Sequence, residues 1–142
     1  MSFQKRLIIT LVFTALYWVV SAQTVIHVWE MQELTFTAEM AYKNPYTDVT
    51  VWVDLTGPGF SKKVYGFWDG GNIFRVRLVA PQQGAWTWTC GSNSNDPGLT
   101  GKSGSFQAID WTDEEKKENP LRRGFLRSSA NNHALNYADG TP

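Results

Sequence analysis

Cysteine and histidine are scarce in this sequence, which limits the chemistry that its side chains offer. Cys90 is the single cysteine among 142 residues, and His27 and His133 are the two histidines. One cysteine cannot form a disulfide within the chain, so the fold must hold without one. Because Cys90 lies in an alternating run between aromatic residues, we expect a small, buried, apolar side chain. No Ser-His-Asp spacing, glycine-rich phosphate loop or metal-ligand cluster is present, and we predict no cofactor and no metal site.

An excess of charge of one sign is also missing. The sequence has 13 Lys and Arg residues against 13 Asp and Glu residues. Nothing in this balance indicates a nucleic acid or an anionic membrane surface as a partner.

The acidic residues are the remaining source of catalytic groups, since two facing carboxylates can hydrolyse a glycosidic bond. Most of them lie in turns or in a charged segment after residue 110, where we expect solvated roles: Asp69, Asp96, Asp139, Asp113, Glu114, Glu115 and Glu118. Glu30, Glu33 and Asp54 are left as candidates, but nothing in the sequence brings two of them together. We therefore predict no catalytic residue in this chain. The loop 93–96 has oxygen ligands suitable for calcium, although its composition is more typical of an ordinary polar loop.

The first residues have the three parts of a secretory signal peptide. Lys5 and Arg6 precede the uncharged run Leu7–Val20, and small residues end the segment at Ala22. As a helix that run is about 21 Å long, short of the ~30 Å hydrocarbon core, so we predict cleavage rather than a membrane anchor. Removal of residues 1–22 changes the net charge from 0 to −2. We therefore expect an exported protein, periplasmic or extracellular, with no membrane segment after cleavage.

Short runs with a period of two dominate the rest of the chain and predict half-buried strands. The apolar faces include Val49, Val51, Val53 and Leu55 in one run. We place strands at roughly 24–30, 33–41, 48–55, 62–68, 73–79, 85–91 and 104–109. Turn residues such as those of 69–72 separate them. The fold class is all-β, an immunoglobulin-like antiparallel sandwich of about seven strands, with a small barrel as the alternative.

The composition changes after the last of these strands. We predict the sandwich at 23–110 and a charged linker at 111–123, in which Thr112 and Glu115 form a capping box at the start of a short helix. Asn119-Pro120 should end that helix. We interpret residues 124–142 as the start of a further C-terminal segment whose continuation is missing here, because Ala138–Thr141 predicts a turn without a returning strand.

Aromatic residues are abundant, with seven tryptophans in all. The strand of Trp52 buries its valine face, so the Trp52 indole should lie on the outer face beside Asp54. An exposed indole there can stack on a sugar ring, or pack under a neighbouring domain. Trp52, Asp54 and Tyr65 are therefore the candidate carbohydrate-binding residues.

Several segments together resemble the N-terminal β-sandwich known as domain of unknown function 5060, over about residues 25–109: Trp29-Glu30 with Phe36, Asn44-Pro45-Tyr46, Gly66-Phe67-Trp68-Asp69-Gly70, Phe74-Arg75-Val76-Arg77, and Pro81, Gly84, Trp86 and Trp88. Such domains precede (β/α)8-barrel glycoside hydrolases in bacteria. The tail from Gly124 to Pro142 resembles the lead-in to such a barrel. The resemblance implies that the barrel of the same polypeptide is the partner and that its catalytic carboxylates lie beyond residue 142.

Under this resemblance the chain is a non-catalytic accessory domain that packs against and orients the barrel in polysaccharide degradation. Arg75 and Arg77 would pair with acidic residues across the sheet or contact the barrel. Two other functions remain open. One is a carbohydrate-binding module that uses exposed aromatic side chains, and the other is a cell-surface interaction domain. Autonomous enzymatic activity is the least favoured.

Overall fold

A computed structural model describes residues 24–142. The predicted signal peptide, residues 1–22, lies outside the described residues. Within the described part, no helix has both the length and the apolar character needed to cross a bilayer. The elements are, in chain order, β1 Thr24–His27, β2 Gln32–Thr37, α1 Pro45–Asp48, β3 Val51–Gly57, β4 Phe60–Tyr65, β5 Phe67–Trp68, β6 Ile73–Leu78, β7 Gly84–Ser92, β8 Ser103–Ile109, α2 Asp113–Glu118, a 3₁₀ helix Pro120–Arg123, β9 Arg127–Ser128 and β10 Leu135–Asn136.

Two packed sheets form the main body. The larger has the strand order β1-β8-β7-β3-β4, and the smaller has the order β2-β6-β5. All pairings in both sheets are antiparallel except that of β1 with β8, which is parallel. The predicted all-β sandwich is therefore confirmed, with one parallel pair at the edge. The immunoglobulin-like classification stays a prediction.

The period-two pattern fills the space between the sheets. Val51, Val53 and Leu55 of β3 are at most 2% exposed, and the inward residues of β6 are buried as well. Cys90 is buried, as predicted, and its Sγ donates a hydrogen bond to the carbonyl oxygen of Leu99 at 2.8 Å. Burial of this kind, repeated over many apolar side chains, is the main source of stability in a domain without disulfides.

The strand predicted at 62–68 is wrong, because the chain leaves one sheet for the other at Gly66. β4 pairs with β3 in the larger sheet, whereas β5 pairs with β6 in the smaller. A Cβ at Gly66 would overlap the backbone of Arg75, so only glycine lets the chain cross this close to β6. Within residues 24–142 the sandwich thus has eight strands rather than about seven. The hairpin predicted at 69–72 is confirmed by the hydrogen bond from Asp69 N–H to the Ile73 carbonyl oxygen, 2.9 Å.

The prediction of a solvated Asp96 is also wrong. Its side chain is fully buried and accepts hydrogen bonds from the backbone N–H groups of Glu39, Met40 and Gly98 and from the Tyr42 hydroxyl. Burial acts to raise the pKa of Asp96, but these hydrogen bonds outweigh it and hold the pKa below its ordinary value. The ionised carboxylate therefore ties the loop after β2 to the loop after β7.

Candidate functional surfaces

The predicted carbohydrate-binding residues lie together on the outer face of the larger sheet. Tyr65 on β4 is the register partner of Trp52 on β3, and Lys63 is the partner of Asp54. Lys63 Nζ lies 3.0 Å from a carboxylate oxygen of Asp54. The structure thus brings Trp52, Asp54 and Tyr65 into one cluster with Lys63, because cross-strand partners have neighbouring side chains.

Contacts on the Trp52 indole decide what this cluster offers a ligand. On the β4 side, Lys63 Nζ lies 3.9 Å from the ring centroid in a cation–π contact. On the β7 side, the indole lies so close to Gly91 that a Cβ there would be 2.6 Å from Nε1. A sugar ring could stack on Trp52 only after the Lys63 side chain moves. Tyr65 is 64% exposed and is the open aromatic side chain of the cluster.

A charged network covers the outer face of the smaller sheet. Glu33 on β2 accepts hydrogen bonds from Arg75 and Arg77 on β6, and Arg75 also contacts Asp69. Hydrogen bonds from Arg77 and then Arg75 hold the pKa of Glu33 below its ordinary value. The predicted pairing of both arginines with acidic residues across the sheet is confirmed. Glu33 is therefore held by cations, which suits a structural ion pair better than a general acid.

The other candidates from the sequence are engaged in local contacts. Glu30 accepts a hydrogen bond from the backbone N–H of His27 at 2.8 Å, which closes a turn after β1. His133 lies in the loop between β9 and β10 and is exposed. In the loop 93–96, whose oxygen ligands would also suit calcium, the Asp96 carboxylate is surrounded by N–H and O–H donors rather than open to a cation. Within residues 24–142, no group of three or more His, Cys, Asp or Glu side chains is arranged to hold a metal ion.

The charged linker is docked on the sandwich rather than extended from it. The predicted capping box is present in full, with reciprocal hydrogen bonds between Thr112 and Glu115 at the start of α2. Trp111, just before it, donates from Nε1 to the Val28 carbonyl oxygen at 2.7 Å. Its ring stacks on His27, with 3.8 Å between ring centroids, and the guanidinium of Arg122 lies 4.5 Å from the centroid. These contacts fix the helix against the end of β1.

Trp29 makes the second attachment between the sandwich and the segment that follows it. A Cβ at Gly124 would overlap the Trp29 indole, and the Phe125 ring meets the indole edge-on at 5.3 Å between centroids. Trp29 has φ of +64°, in the left-handed region that a bulky side chain seldom adopts. We refer to Trp29, Trp111, Gly124 and Phe125 as the joint.

Beyond the joint, the tail folds back on itself. β9 and β10 form a two-stranded antiparallel hairpin, and the predicted turn after Tyr137 is closed by hydrogen bonds from Gly140 N–H to the Tyr137 carbonyl and from Tyr137 N–H to the Thr141 carbonyl. Arg123 pairs with Asp139 at 3.0 Å. The tail nevertheless leaves large apolar side chains in solvent: Leu121 75%, Phe125 63%, Leu126 58% and Leu135 60% exposed.

Two cavities open at the joint, and Trp29 lines both. One is apolar, with a volume of about 420 Å³, and opens between Phe60, Val64 and Phe125. The other is polar, with a volume of about 350 Å³, and lies between the turn at 81–83 and the linker. The joint could not be identified from the sequence, since the identity of a tryptophan carries no information on where its ring points. The capping box at 112–115 was the one local signal of an ordered linker.

Comparison with known proteins agrees with the resemblance seen in the sequence. Residues 25–93 match the family model described as a domain of unknown function, DUF5060. No curated protein matches the chain. The resemblance read from the ordered motifs is therefore confirmed, with a match that ends at residue 93 rather than near residue 109.

A solved structure extends the comparison past the sandwich. It is the crystal structure of "a putative glycoside hydrolase" from Bacteroides vulgatus, with a TM-score of 0.67 and 25% sequence identity. The similarity covers 84% of this chain and 21% of that chain. This chain therefore spans about a fifth of the length of that neighbour.

Proposed function

We propose that this chain, with its DUF5060 match, is a non-catalytic accessory domain of an exported glycoside hydrolase, and that it packs against and orients a catalytic (β/α)8 barrel in polysaccharide degradation. The DUF5060 match and the similarity to part of a glycoside hydrolase structure support the association. The observation that carries the orienting role is the docked linker, because Trp111 and Trp29 leave the sandwich and the tail little freedom to move independently.

The exposed apolar side chains of the tail support the packing role. A monomeric protein seldom exposes a contiguous apolar patch unless the patch is an interaction site. Phe125 belongs both to the tail and to the lining of the apolar cavity, so an apolar surface that includes this cavity and the exposed Phe125 ring is open to a partner. We propose that the barrel covers this surface and that residues 124–142 lead into it.

The carboxylates support a non-catalytic role for the described residues. Glu33 is held by two arginines, Asp54 by Lys63, and Glu30 by a backbone N–H group. A glycosidase needs one carboxylic acid free to donate a proton and a second carboxylate free to act as base or nucleophile. These three side chains are engaged in other ways.

The cheapest test is the DNA sequence after codon 142 in an intact genome. A barrel-coding sequence in frame is expected, and a stop codon with no barrel following would contradict the proposal. With the full-length product in hand, hydrogen exchange at the backbone amides of Leu126 and Leu135 should be slower than in the isolated chain. Equal exchange rates would show that the tail is not covered.

The orienting role has its own test in the full-length product. A flexible Gly-Ser insertion after Asn119 should lower the melting temperature of the catalytic domain, because it separates Trp111 and α2 from the segment that leads into the tail. The same insertion between Gly70 and Gly71, in an exposed hairpin turn away from the joint, is the matched control. Equal melting temperatures for the two variants would remove the orienting role.

A carbohydrate-binding module is the second candidate, and the pairing of Tyr65 with Trp52 in one outer cluster is the observation that favours it. Lys63→Ala should uncover the Trp52 indole and strengthen binding to an immobilised polysaccharide, whereas Tyr65→Ala should weaken it. Binding that is unchanged by Trp52→Ala and Tyr65→Ala would remove this cluster as the platform.

A further inference from the structure

We propose that the polar cavity at the joint is a binding pocket for a neutral oligosaccharide, separate from the outer cluster of Trp52 and Tyr65. The cavity has a volume of about 350 Å³, which falls in the range of about 300–1,000 Å³ that is usual for small-molecule sites. The choice of a saccharide as the ligand class rests on the proposed function, and the pocket itself rests on the geometry that follows.

The charged side chains around the cavity neutralise one another in pairs. Lys116 Nζ lies 3.1 Å from a carboxylate oxygen of Asp110, and Arg123 lies 3.0 Å from Asp139. Three cations and two carboxylates line the space, and the third cation, Arg122, faces a carboxylate just outside it. The cavity therefore has fixed hydrogen-bonding groups without a concentrated charge that would attract an ion. Such a lining suits a ligand with many hydroxyl groups, each of which both donates and accepts.

Two amide side chains on the opposite wall have free hydrogen-bonding capacity. Gln82 and Gln83 follow Pro81 in the turn between β6 and β7 and line the cavity. Within residues 24–142 neither side-chain amide makes a hydrogen bond, although the Gln82 backbone carbonyl accepts one from Trp86 Nε1 at 3.0 Å. Each amide can offer two donors and one acceptor oxygen to a ligand. The hydrogen bond from Trp86 thus fixes the backbone of the turn, while the side chains of Gln82 and Gln83 remain available to a ligand.

The indole of Trp29 supplies the apolar part of the wall. An indole pairs a flat apolar surface with an N–H donor, and a pyranose ring has a matching apolar face between its hydroxyl groups. The left-handed backbone of Trp29 places the ring here, and backbone hydrogen bonds hold that conformation, including one from Trp29 N–H to the Ala80 carbonyl at 3.0 Å. Strained conformations of this kind persist where the surroundings fix them, often at binding sites.

The test is a titration of the purified protein with cellotriose, xylotriose and mannotriose, followed by ¹H–¹⁵N NMR. At least one of these neutral trisaccharides should shift the indole N–H signal of Trp29 and the side-chain amide signals of Gln82 and Gln83. The Kd should be the same at low and at high salt, because the ligand is uncharged. Trigalacturonate, a charged trisaccharide of similar size, should bind more weakly.

Paired variants locate the site. The double variant Gln82→Ala/Gln83→Ala removes exposed side chains only and should weaken binding roughly tenfold or more, since at least two hydrogen bonds are lost. Gln107→Ala, on the outer face of β8, should bind as the wild type does. Shifts confined to Trp52 and Tyr65, tighter binding of trigalacturonate, no shift with any neutral trisaccharide, or equal binding by the double variant would each overturn the pocket. These outcomes would overturn the pocket alone, because the accessory role is tested separately on the full-length product.

Discussion

Replacement of Asp96 by asparagine should destabilise the fold strongly, although the two side chains have almost the same size. One carboxylate oxygen of Asp96 accepts from Gly98 N–H at 2.8 Å and the other from Met40 N–H at 2.9 Å. Glu39 N–H bridges both oxygens. An asparagine side chain keeps one oxygen and turns an NH₂ group toward the donors on the other side. Either orientation leaves one backbone N–H group, of Gly98 or of Met40, without a partner.

The size of the stability loss in Asp96→Asn follows from these contacts. An orphaned buried donor costs about 1–3 kcal/mol, and each remaining hydrogen bond loses the strength that the negative charge gave it. We expect Asp96→Asn to lower the free energy of unfolding by about 2–4 kcal/mol. With a typical dependence of about 1–3 kcal/mol per molar urea, the midpoint should fall by roughly 1–2 M. Tryptophan fluorescence during urea unfolding measures this midpoint.

Asp54→Asn is the matched control, because Asp54 is an exposed aspartate whose surface ion pair with Lys63 should contribute no more than about 1 kcal/mol. Tyr42→Phe is an intermediate case, since it removes one of the donors to Asp96 and leaves the backbone donors in place. Equal urea midpoints for Asp96→Asn and Asp54→Asn would refute the reasoning.

The same carboxylate predicts a loss of stability in acid. Because the pKa of Asp96 is lower in the folded chain than in the unfolded chain, its ionised form stabilises the fold at pH values above the unfolded pKa, about 3.9. That contribution disappears as the pH falls through the folded pKa. The wild type should therefore lose stability below about pH 4, and Asp96→Asn, which lacks the titrating group, should lose less over the same interval. A steeper loss in the variant would contradict the assignment.

Three further changes probe other contacts. Gly57→Ala should lower the free energy of unfolding by about 1–3 kcal/mol, because its Cβ would overlap the buried indole of Trp86; an unchanged urea midpoint would argue against that overlap. Burial raises the pKa of Cys90 to about 11, so iodoacetamide at pH 8 should label it in urea and not in the native protein. Trp111→Phe keeps the stacked ring but removes the hydrogen bond to the Val28 carbonyl, and the melting curve should show a loss of about 1 kcal/mol.

The strands could be predicted from the sequence where one face alone is buried. Val51, Val53 and Leu55 alternate with polar residues because β3 has the core on one side and solvent on the other, so the period of two is visible. The capping box at 112–115 was readable for the same reason, since its hydrogen bonds join residues three apart. Both features depend on local spacing, which the sequence states directly.

Features that depend on contacts between distant residues could not be predicted. Gly66 falls within an alternating run, and only the nearby backbone of Arg75 shows that the chain changes sheets there. Asp96 lies in a segment with the composition of an ordinary turn. Its burial depends on N–H groups of residues 39 and 40, more than fifty positions earlier. The sequence predicted Trp52 as an exposed platform, but Lys63 and Gly91 lie against its indole. Neither contact can be predicted from the spacing of residues in the sequence.

The tryptophans show how little residue type alone says about binding. Trp86 is fully buried, Trp52 lies between Lys63 and Gly91, and Trp111 lies between His27 and Arg122. Each of these rings is in close contact with other residues of the protein. Trp29 differs, because it contacts Gly124 and Phe125 and still borders two open cavities. Only at the boundary between two segments can one ring both attach the segments to each other and offer an open surface to a ligand. At the joint, ligand binding should therefore depend on the packing of the tail against the sandwich.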